Sequence, residues 1–332
     1  MTTTRWGILS TSKFGEEKFL PGLRRAAGVD VRAVASRDLS SASSYAQRNS
    51  IPIAYGSYEE LLQDPSIDVI YNPLPNHLHV AWTVKALEAG KHVLCEKPMA
   101  LRAADLEALR PFTAHLHVAE AMMVRHHPQW TEVRERIGSG ELGELTHAHV
   151  AFAYSNTDPT NIRNIEAVGG GALYDIGCYA VVAARYFFGC EPLRAIGVQD
   201  IDPRFGTDRR FSALLDLGEA RTVQLSVSTQ SVAHQRVHLY GTKGRIELTV
   251  PFNQPQTEDV VYLTHAGTSL DGLDAQQHRV PAADQYALLA SWFSHRVQNE
   301  QPDSSSLDDA VAQAKAIDAI LRSAGSGRFE AV

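Results

Sequence analysis

The sequence predicts an α/β protein of two domains. A doubly wound parallel sheet comes first, followed by an α+β domain built on a large open, mainly antiparallel sheet. Three observations carry this expectation. Short apolar runs alternate with helical patterns through residue 122, the rhythm of parallel strands joined by helices. Beyond Pro128 the segments become β-branched and alternating, which suits antiparallel strands with one solvated face. The chain of 332 residues also exceeds what one core ordinarily organises, since domains cluster near ~100–150 residues. The expected division is 1–122 and 123–332, with a C-terminal helix near 307–322 free to pack back on the first domain.

In order, Trp6–Ser10 reads as a first strand, followed by a turn and a helix ending near Gly28. Val29–Ser36 is a second strand and Ile53–Tyr55 a third. Ser57 with Glu60 forms a capping box for a helix that Asp64-Pro65 stops. Ile67–Asn72 is a fourth strand, and Asn76 caps a helix with Val80, Val84 and Leu87 on one face. His92–Cys95 and Leu116–Ala121 complete six strands. In the second part a helix runs toward Gly143, and strands follow at Thr146–Tyr154, Arg194–Gln199, Phe211–Leu217, Thr222–Ser228, Arg236–Tyr240 and Arg245–Val250. A helix at Tyr174–Phe188 interrupts them, and helices near Asp284–Gln298 and Leu307–Arg322 close the chain.

Composition narrows the function classes. Hydrophobic residues make up 44% and charged residues 21%, as in ordinary globular proteins. With 31 basic and 38 acidic side chains the formal net charge is −7, which argues against a nucleic-acid or anionic-membrane partner. Cys95, Cys178 and Cys190 are odd in number and lack ligand spacing, so they read as reduced thiols. No apolar run approaches the ~20 residues of a membrane span, and the start runs straight into a strand. Cytoplasm is the expected compartment.

A doubly wound domain of this kind, the Rossmann arrangement, binds a dinucleotide pyrophosphate where its first strand turns into a helix. The usual fingerprint is G-x-G-x-x-G, whereas this chain reads Ser10-Thr11-Ser12-Lys13-Phe14-Gly15. Serines stand where the first two glycines would; they are small, and their hydroxyls can bond phosphate, so a phosphate cradle and a plain surface turn stand about level. At the end of the second strand, Ser36 and Arg37 offer a hydroxyl and a guanidinium fork to the 2′-phosphate of NADP. Asp38 leaves NAD open, because it can serve the ribose or cap the next helix. The reading is NADP ahead of NAD.

The most informative stretches are Tyr71-Asn72-Pro73-Leu74-Pro75-Asn76-His77-Leu78-His79 and Gly90-Lys91-His92-Val93-Leu94-Cys95-Glu96-Lys97-Pro98. Here the chain resembles the glucose–fructose oxidoreductase/inositol dehydrogenase family, with its Pro-Asn-x-x-His and Gly-Lys-His-Val-x-x-Glu-Lys-Pro patterns. The resemblance implies an NAD(P)-dependent oxidoreductase in which Lys97 reaches the nicotinamide end and the substrate, and Pro98 commonly follows a cis bond. It adds Leu74, Pro75, Asn76, His79, Glu96 and Lys97 to the cofactor-binding set of Ser10 to Phe14, Ser36 and Arg37.

A second cluster is Gly169-Gly170-Gly171-Ala172-Leu173-Tyr174-Asp175-Ile176-Gly177-Cys178-Tyr179. Three glycines allow close approach of a ligand, and Asp175 and Tyr179 share a helical face. Many family members carry histidine where Tyr179 stands. Tyrosine resembles the branch of glucose–fructose oxidoreductase, NADP-dependent xylose dehydrogenase and dimeric dihydrodiol dehydrogenase. A tyrosine with its ordinary pKa near ~10 is a poor base at neutral pH, and a nearby Lys⁺ and an oxidised nicotinamide would favour its phenolate. The expectation is Tyr179 as acid/base, Lys97 tuning it and binding the substrate hydroxyl, and Asp175 orienting the pair. A packed core tyrosine is the alternative that the neighbouring glycines and Lys97 outweigh.

Met123 and Arg163 are further substrate-binding candidates: Arg163 matches half of the family's aromatic-Arg pair, and Met123 precedes a crossover, Arg125-His126-His127-Pro128. The 14 histidines include the i,i+2 pairs His77/His79, His115/His117 and His147/His149, with no converging ligand set, so no metal is expected. A sugar dehydrogenase is the leading reading. A trans-dihydrodiol dehydrogenase or an inosose or deoxysugar reductase would use the same residues. A non-catalytic dinucleotide sensor is the rival of another class, though it has no use for Lys97, Asp175 and Tyr179 together. The open sheet implies a homodimer or homotetramer.

Overall fold

A computed structural model describes residues 3–332. By contact the chain divides into two units. The first comprises residues through Met123 together with Asp284–Val311, and the second Val124–Ala283 with Ala312–Val332.

The first unit is a six-stranded parallel sheet of β1 (Thr4–Leu9), β2 (Val29–Ala35), β3 (Ile53–Tyr55), β4 (Val69–Asn72), β5 (His92–Cys95) and β6 (Val118–Glu120), in the order β3-β2-β1-β4-β5-β6. Its central strands are apolar on both faces because helices cover both, and Ile8, Leu9, Val34, Ile70, Val93 and Leu94 are fully buried. The helices between strands are α1 (Leu20–Arg25), α2 (Leu39–Arg48), α3 (Tyr58–Gln63) and α4 (His79–Glu88). Ser57 caps α3 as expected, accepting the Glu60 N–H at 3.2 Å. The expected Asn76 cap differs: Asn76–Leu78 forms a 3₁₀ turn ahead of α4. The buried face of α4 is His79, Thr83, Ala86 and Leu87, because Asn72 reaches across to donate to the Thr83 hydroxyl.

The second unit holds β7 (Leu145–Ser155), β8 (Arg194–Ile201), β9 (Asp208–Asp216), β10 (Thr222–Ser228), β11 (Gln230–Gly241), β12 (Arg245–Leu248), β13 (Val260–His265), β14 (Ala275–Val280) and β15 (Glu330–Ala331). They form one sheet, β14-β13-β12-β11-β7-β10-β9-β8-β15, antiparallel except between β7 and β10. Strands β13, β14 and β15 are absent from the sequence reading. The residues of β14, Ala-Gln-Gln-His-Arg-Val, are polar because it is an edge strand that is mostly exposed. Helices α5 (Pro128–Gly138) and α6 (Cys178–Phe188) belong to this unit. The stretch Glu166–Phe188 has the length and apolarity of a membrane span, but 72% of its most apolar window is buried inside the protein, as in a core helix.

Helix α7 (Gln285–Asn299) corrects the expected division, which had assigned it to the second domain. Its Phe293 meets Trp6 edge-on at 5.8 Å, and its Ser294 hydroxyl lies 2.7 Å from that of Thr4. Gly22 of α1 has no side chain because a Cβ there would stand 2.6 Å from Tyr286. Helix α8 (Ser305–Ser326) is divided between the two units at Val311.

Burial pushes the imidazoles of His79, His92, His126 and His127 down to about 4. In the unfolded chain each titrates near ~6.5, so between about pH 6.5 and pH 4 the unfolded state binds more protons. Stability therefore rises with pH across that window and is lost as pH falls through it. Thermal unfolding midpoints measured against pH should drop steeply below about pH 6.5. A flat profile between those limits would show that these rings are not held neutral.

Candidate active site

In a parallel sheet the ligand crevice lies beyond the carboxyl ends of the strands, where the strand order reverses. Here the reversal is between β1 and β4. Ser10 follows β1, Ser36 follows β2, Leu74 to Asn76 follow β4, and Glu96-Lys97 follow β5. The first unit thus collects the cofactor-binding candidates along one sheet edge.

The turn after β1 explains the altered fingerprint. Ser10 has φ +77°, the left-handed region that favours glycine. Ser12 caps the following turn, its Oγ accepting the Gly15 N–H at 3.1 Å. A Cβ at Gly15 would stand 2.8 Å from that Oγ, so the third glycine of the pattern is kept. The helix opens with a π-helical turn, Gly15–Phe19, before α1. Lys13 is exposed beside Glu17, and Phe14 packs edge-on to Tyr286.

At the end of β2 the structure settles what Asp38 does to the chain: it caps α2, its carboxylate accepting the Ser41 N–H at 2.8 Å. That bond, with the Ser41 hydroxyl, pulls its pKa down. Ser36 is buried and Arg37 exposed. These residues fit a dinucleotide with a phosphorylated ribose: Ser36 and Arg37 would hold its phosphate and the Ser10–Phe14 turn its pyrophosphate.

Around Lys97 most of the motif builds the loop. Tyr71 donates to Glu96 Oε1 at 2.7 Å, and the Lys97 N–H donates to Oε2 at 3.2 Å. Tyr71 itself stacks on Phe19 at 3.7 Å. His79 is buried, with Nδ1 2.7 Å from the Pro98 carbonyl and Nε2 2.6 Å from the Leu74 carbonyl. It braces the loops after β4 and β5. Because carbonyls only accept, a neutral ring donates to one of them at a time; burial first, and the Lys97 charge after it, oppose the second proton. Lys91 is likewise structural, donating to the Asp64 and Ile67 carbonyls at 2.6 and 2.8 Å. The Lys97-Pro98 bond is cis. Met123 is buried in this unit.

In the second unit the candidate residues gather around Asp175. Arg163 Nε donates to Oδ1 at 2.9 Å, and the Tyr154 hydroxyl donates to Oδ2 at 2.6 Å. Arg163 is half-buried and ion-paired. Its proton affinity is raised by Asp175 first, and by Tyr154 and Tyr179 as well. Tyr154 is raised far above the ordinary tyrosine range by burial and then by the Asp175 charge, so it serves as a donor and not as a base. Tyr154 was not foreseen, since nothing in the sequence links the end of β7 to Asp175.

The helix opens with a second π-helical turn, Leu173–Gly177, just before α6. Tyr179 is buried against Phe152 and Phe252, ring centres 5.8 and 5.5 Å away. At Gly170 and Gly171 it is the protein itself that comes close. A Cβ at Gly170 would stand 2.6 Å from the Arg163 carbonyl, and Gly171, at φ +122°, lies directly against the Asp208 carboxylate. The Gly171 N–H donates to the Arg163 carbonyl at 2.9 Å, holding that arginine in place.

Replacing Ser10 with glycine should relieve the left-handed strain and raise stability by up to about 1 kcal/mol in urea unfolding. A loss of stability would mean that the serine side chain holds the turn.

The comparisons agree with this geometry. Residues 4–124 match the model of an oxidoreductase family with an NAD-binding Rossmann fold, and residues 130–247 that of the GFO/IDH/MocA C-terminal domain. An uncharacterized oxidoreductase of Rhizobium meliloti is 43% identical, covering 100% of both chains. An NADP⁺-dependent D-xylose 1-dehydrogenase of Haloferax volcanii is 33% identical over 97% of this chain and 98% of its own. A 3-ketoreductase of Actinomadura kijaniata, solved with NADP and TDP-benzene, superposes with a TM-score of 0.89 at 28% identity, covering 97% of this chain and 98% of that one. Variants of that ketoreductase with one tyrosine changed to phenylalanine, or one lysine to alanine, have been solved with the same two ligands. Sequence and fold together make this chain a member of the GFO/IDH/MocA family of oxidoreductases.

Proposed function

We propose that the protein is an NADP-dependent sugar dehydrogenase, oxidising a CH–OH group of an aldose such as xylose or glucose. The observation that carries this reading is the Arg163–Asp175–Tyr154 cluster, whose Asp175 stands in the turn that opens the helix of Tyr179. It is a fixed set of polar groups suited to a polyhydroxylated substrate, beside a residue able to exchange a proton. The first unit binds the dinucleotide and the second the substrate. When bound, the nicotinamide takes up or returns the hydride. Tyr179 removes the hydroxyl proton, Lys97 binds the hydroxyl oxygen and favours the phenolate, and Asp175 orients the groups around it.

The engagement of Asp38 in capping α2 supports NADP over NAD, as does the name of the Haloferax relative. Reduction of a ketosugar by the same residues is the second reading, supported by the likeness to the Actinomadura ketoreductase. Three cysteines held as thiols are consistent with work in the cytoplasm. A homodimer or homotetramer joined through the nine-stranded sheet would cover exposed residues such as Val198 and Val232.

Purified protein with NADP⁺ or NAD⁺ and a panel of aldoses, inositols and trans-dihydrodiols should form reduced cofactor fastest with an aldose and NADP⁺. Binding without turnover across the panel, and in the ketosugar direction, would point to a sensor. Tyr179→Phe should lower turnover by roughly 10²-fold while leaving dinucleotide affinity near normal; near wild-type turnover would remove Tyr179 as the acid/base. Arg37→Ala should weaken NADP⁺ by roughly tenfold or more and leave NAD⁺ nearly unchanged. Equal weakening of both would place Arg37 away from the phosphate.

A further inference from the structure

Asp208, the first residue of β9, is a buried carboxylate that the reaction as proposed does not use. Its Oδ2 accepts the Leu173 N–H at 2.7 Å, and the Ala172 N–H also donates to its carboxylate. The same carboxylate lies against Gly171, whose N–H is held by the Arg163 carbonyl. The register against the neighbouring β8 shifts here: Asp200 pairs with Arg210 and Ile201 with Asp208, so Arg209 is the extra residue of a bulge beside Asp208. One carboxylate therefore fastens the start of the helix carrying Asp175 and Tyr179 and backs the turn that carries Arg163.

We propose that Asp208 is a positioning residue whose ionised carboxylate sets the placement of Arg163, Asp175 and Tyr179 for turnover. The proposal rests on the reading of Tyr179 as the acid/base. An ionised carboxylate accepts two converging N–H groups well, whereas a protonated one offers less acceptor capacity and a hydroxyl that needs an acceptor of its own. Burial pushes Asp208 up to about 7, its bonds to Leu173 and Ala172 pull it down, and the Asp175 charge adds to the rise. The surrounding charges are as follows. Arg163 is bonded to Asp175, Arg209 and Arg210 on β9 to Asp200, and Asp202 to Arg204, while Glu166 stands beside Gly206. As pH falls through about 7, Asp208 takes up a proton and the clamp loosens.

The test is Asp208→Asn, which keeps the shape and one acceptor but cannot ionise. Turnover should fall roughly tenfold or more above about pH 8, with dinucleotide affinity within about twofold of wild type. The ratio of wild-type to variant turnover should narrow as pH falls, because the wild-type clamp then loosens too. A variant of lowered melting temperature but unchanged turnover, or a ratio independent of pH, would overturn the proposal. Tyr179→Phe, run in parallel, separates the two ideas. Loss of turnover there but not in Asp208→Asn sinks the Asp208 proposal alone. Loss in Asp208→Asn but not in Tyr179→Phe keeps the positioning role and removes the acid/base assignment. If Asp208→Asn does not fold, carboxyl-carbon NMR of the wild-type protein decides. An aspartate titrating near ~7 in step with the Arg163 Nε–H resonance supports the clamp, and an Arg163 resonance indifferent to pH between roughly 5.5 and 8.5 overturns it.

Discussion

A carboxylate and a guanidinium drawn partly out of water are costly unless every remaining donor and acceptor is satisfied, and the Arg163–Asp175 pair shows how the second unit meets that demand. Tyr154 takes the second oxygen of Asp175. Gly170 lets the helix start pass against the Arg163 backbone, and Gly171 ties to it by a hydrogen bond. At the start of the helix the Leu173 N–H meets the Asp208 carboxylate. Aromatic rings of Phe152 and Phe252 close the apolar side of Tyr179. Removing Tyr154 or Asp208 leaves a polar group unmatched in a place where water does not readily replace it.

The first unit solves a different problem with similar means. Its site residues lie on loops, and loops have no ladder of their own to fix them. The protein supplies braces: His79 spans two loop carbonyls, and Glu96 is held by Tyr71 and the Lys97 backbone. Both units also open a site helix on a wide π-helical turn, Gly15–Phe19 and Leu173–Gly177. Each such turn contains a glycine in tight contact, with Ser12 at Gly15 and with Leu173 at Gly177.

The parallel sheet was legible because its strands are short apolar runs punctuated by Gly, Pro and capping residues, and five of the six observed strands lie within the expected spans while β1 begins two residues earlier, at Thr4. The motif residues Ser36, Arg37, Glu96 and Lys97 likewise announce a sheet edge by standing just after those runs. What stayed hidden depends on partners far apart in sequence. Tyr154 and Asp208 meet the Asp175 helix across 21 and 35 residues, and neither has a local pattern that marks it. The glycines show a related limit: the need for close approach is visible in a sequence, but the identity of what approaches is not. Polar edge strands such as β14 lack the apolar alternation that reveals a strand.

The return of α7 to the first sheet bears on how the molecule comes into being. The hydroxyl pair of Thr4 and Ser294 joins residues 290 apart, and Phe293 completes the packing around Trp6. During synthesis the first sheet is made early, yet one of its covering helices emerges only after the whole of the Val124–Ala283 segment. Until then Trp6 and Gly22 lack the cover of Phe293 and Tyr286, and exposed apolar surface of that kind favours chaperone capture or misassociation. Such long closure also slows folding, because the entropy of joining distant segments is lost before the contact forms. The native dinucleotide domain is therefore a late product of a chain whose first residues already specify it.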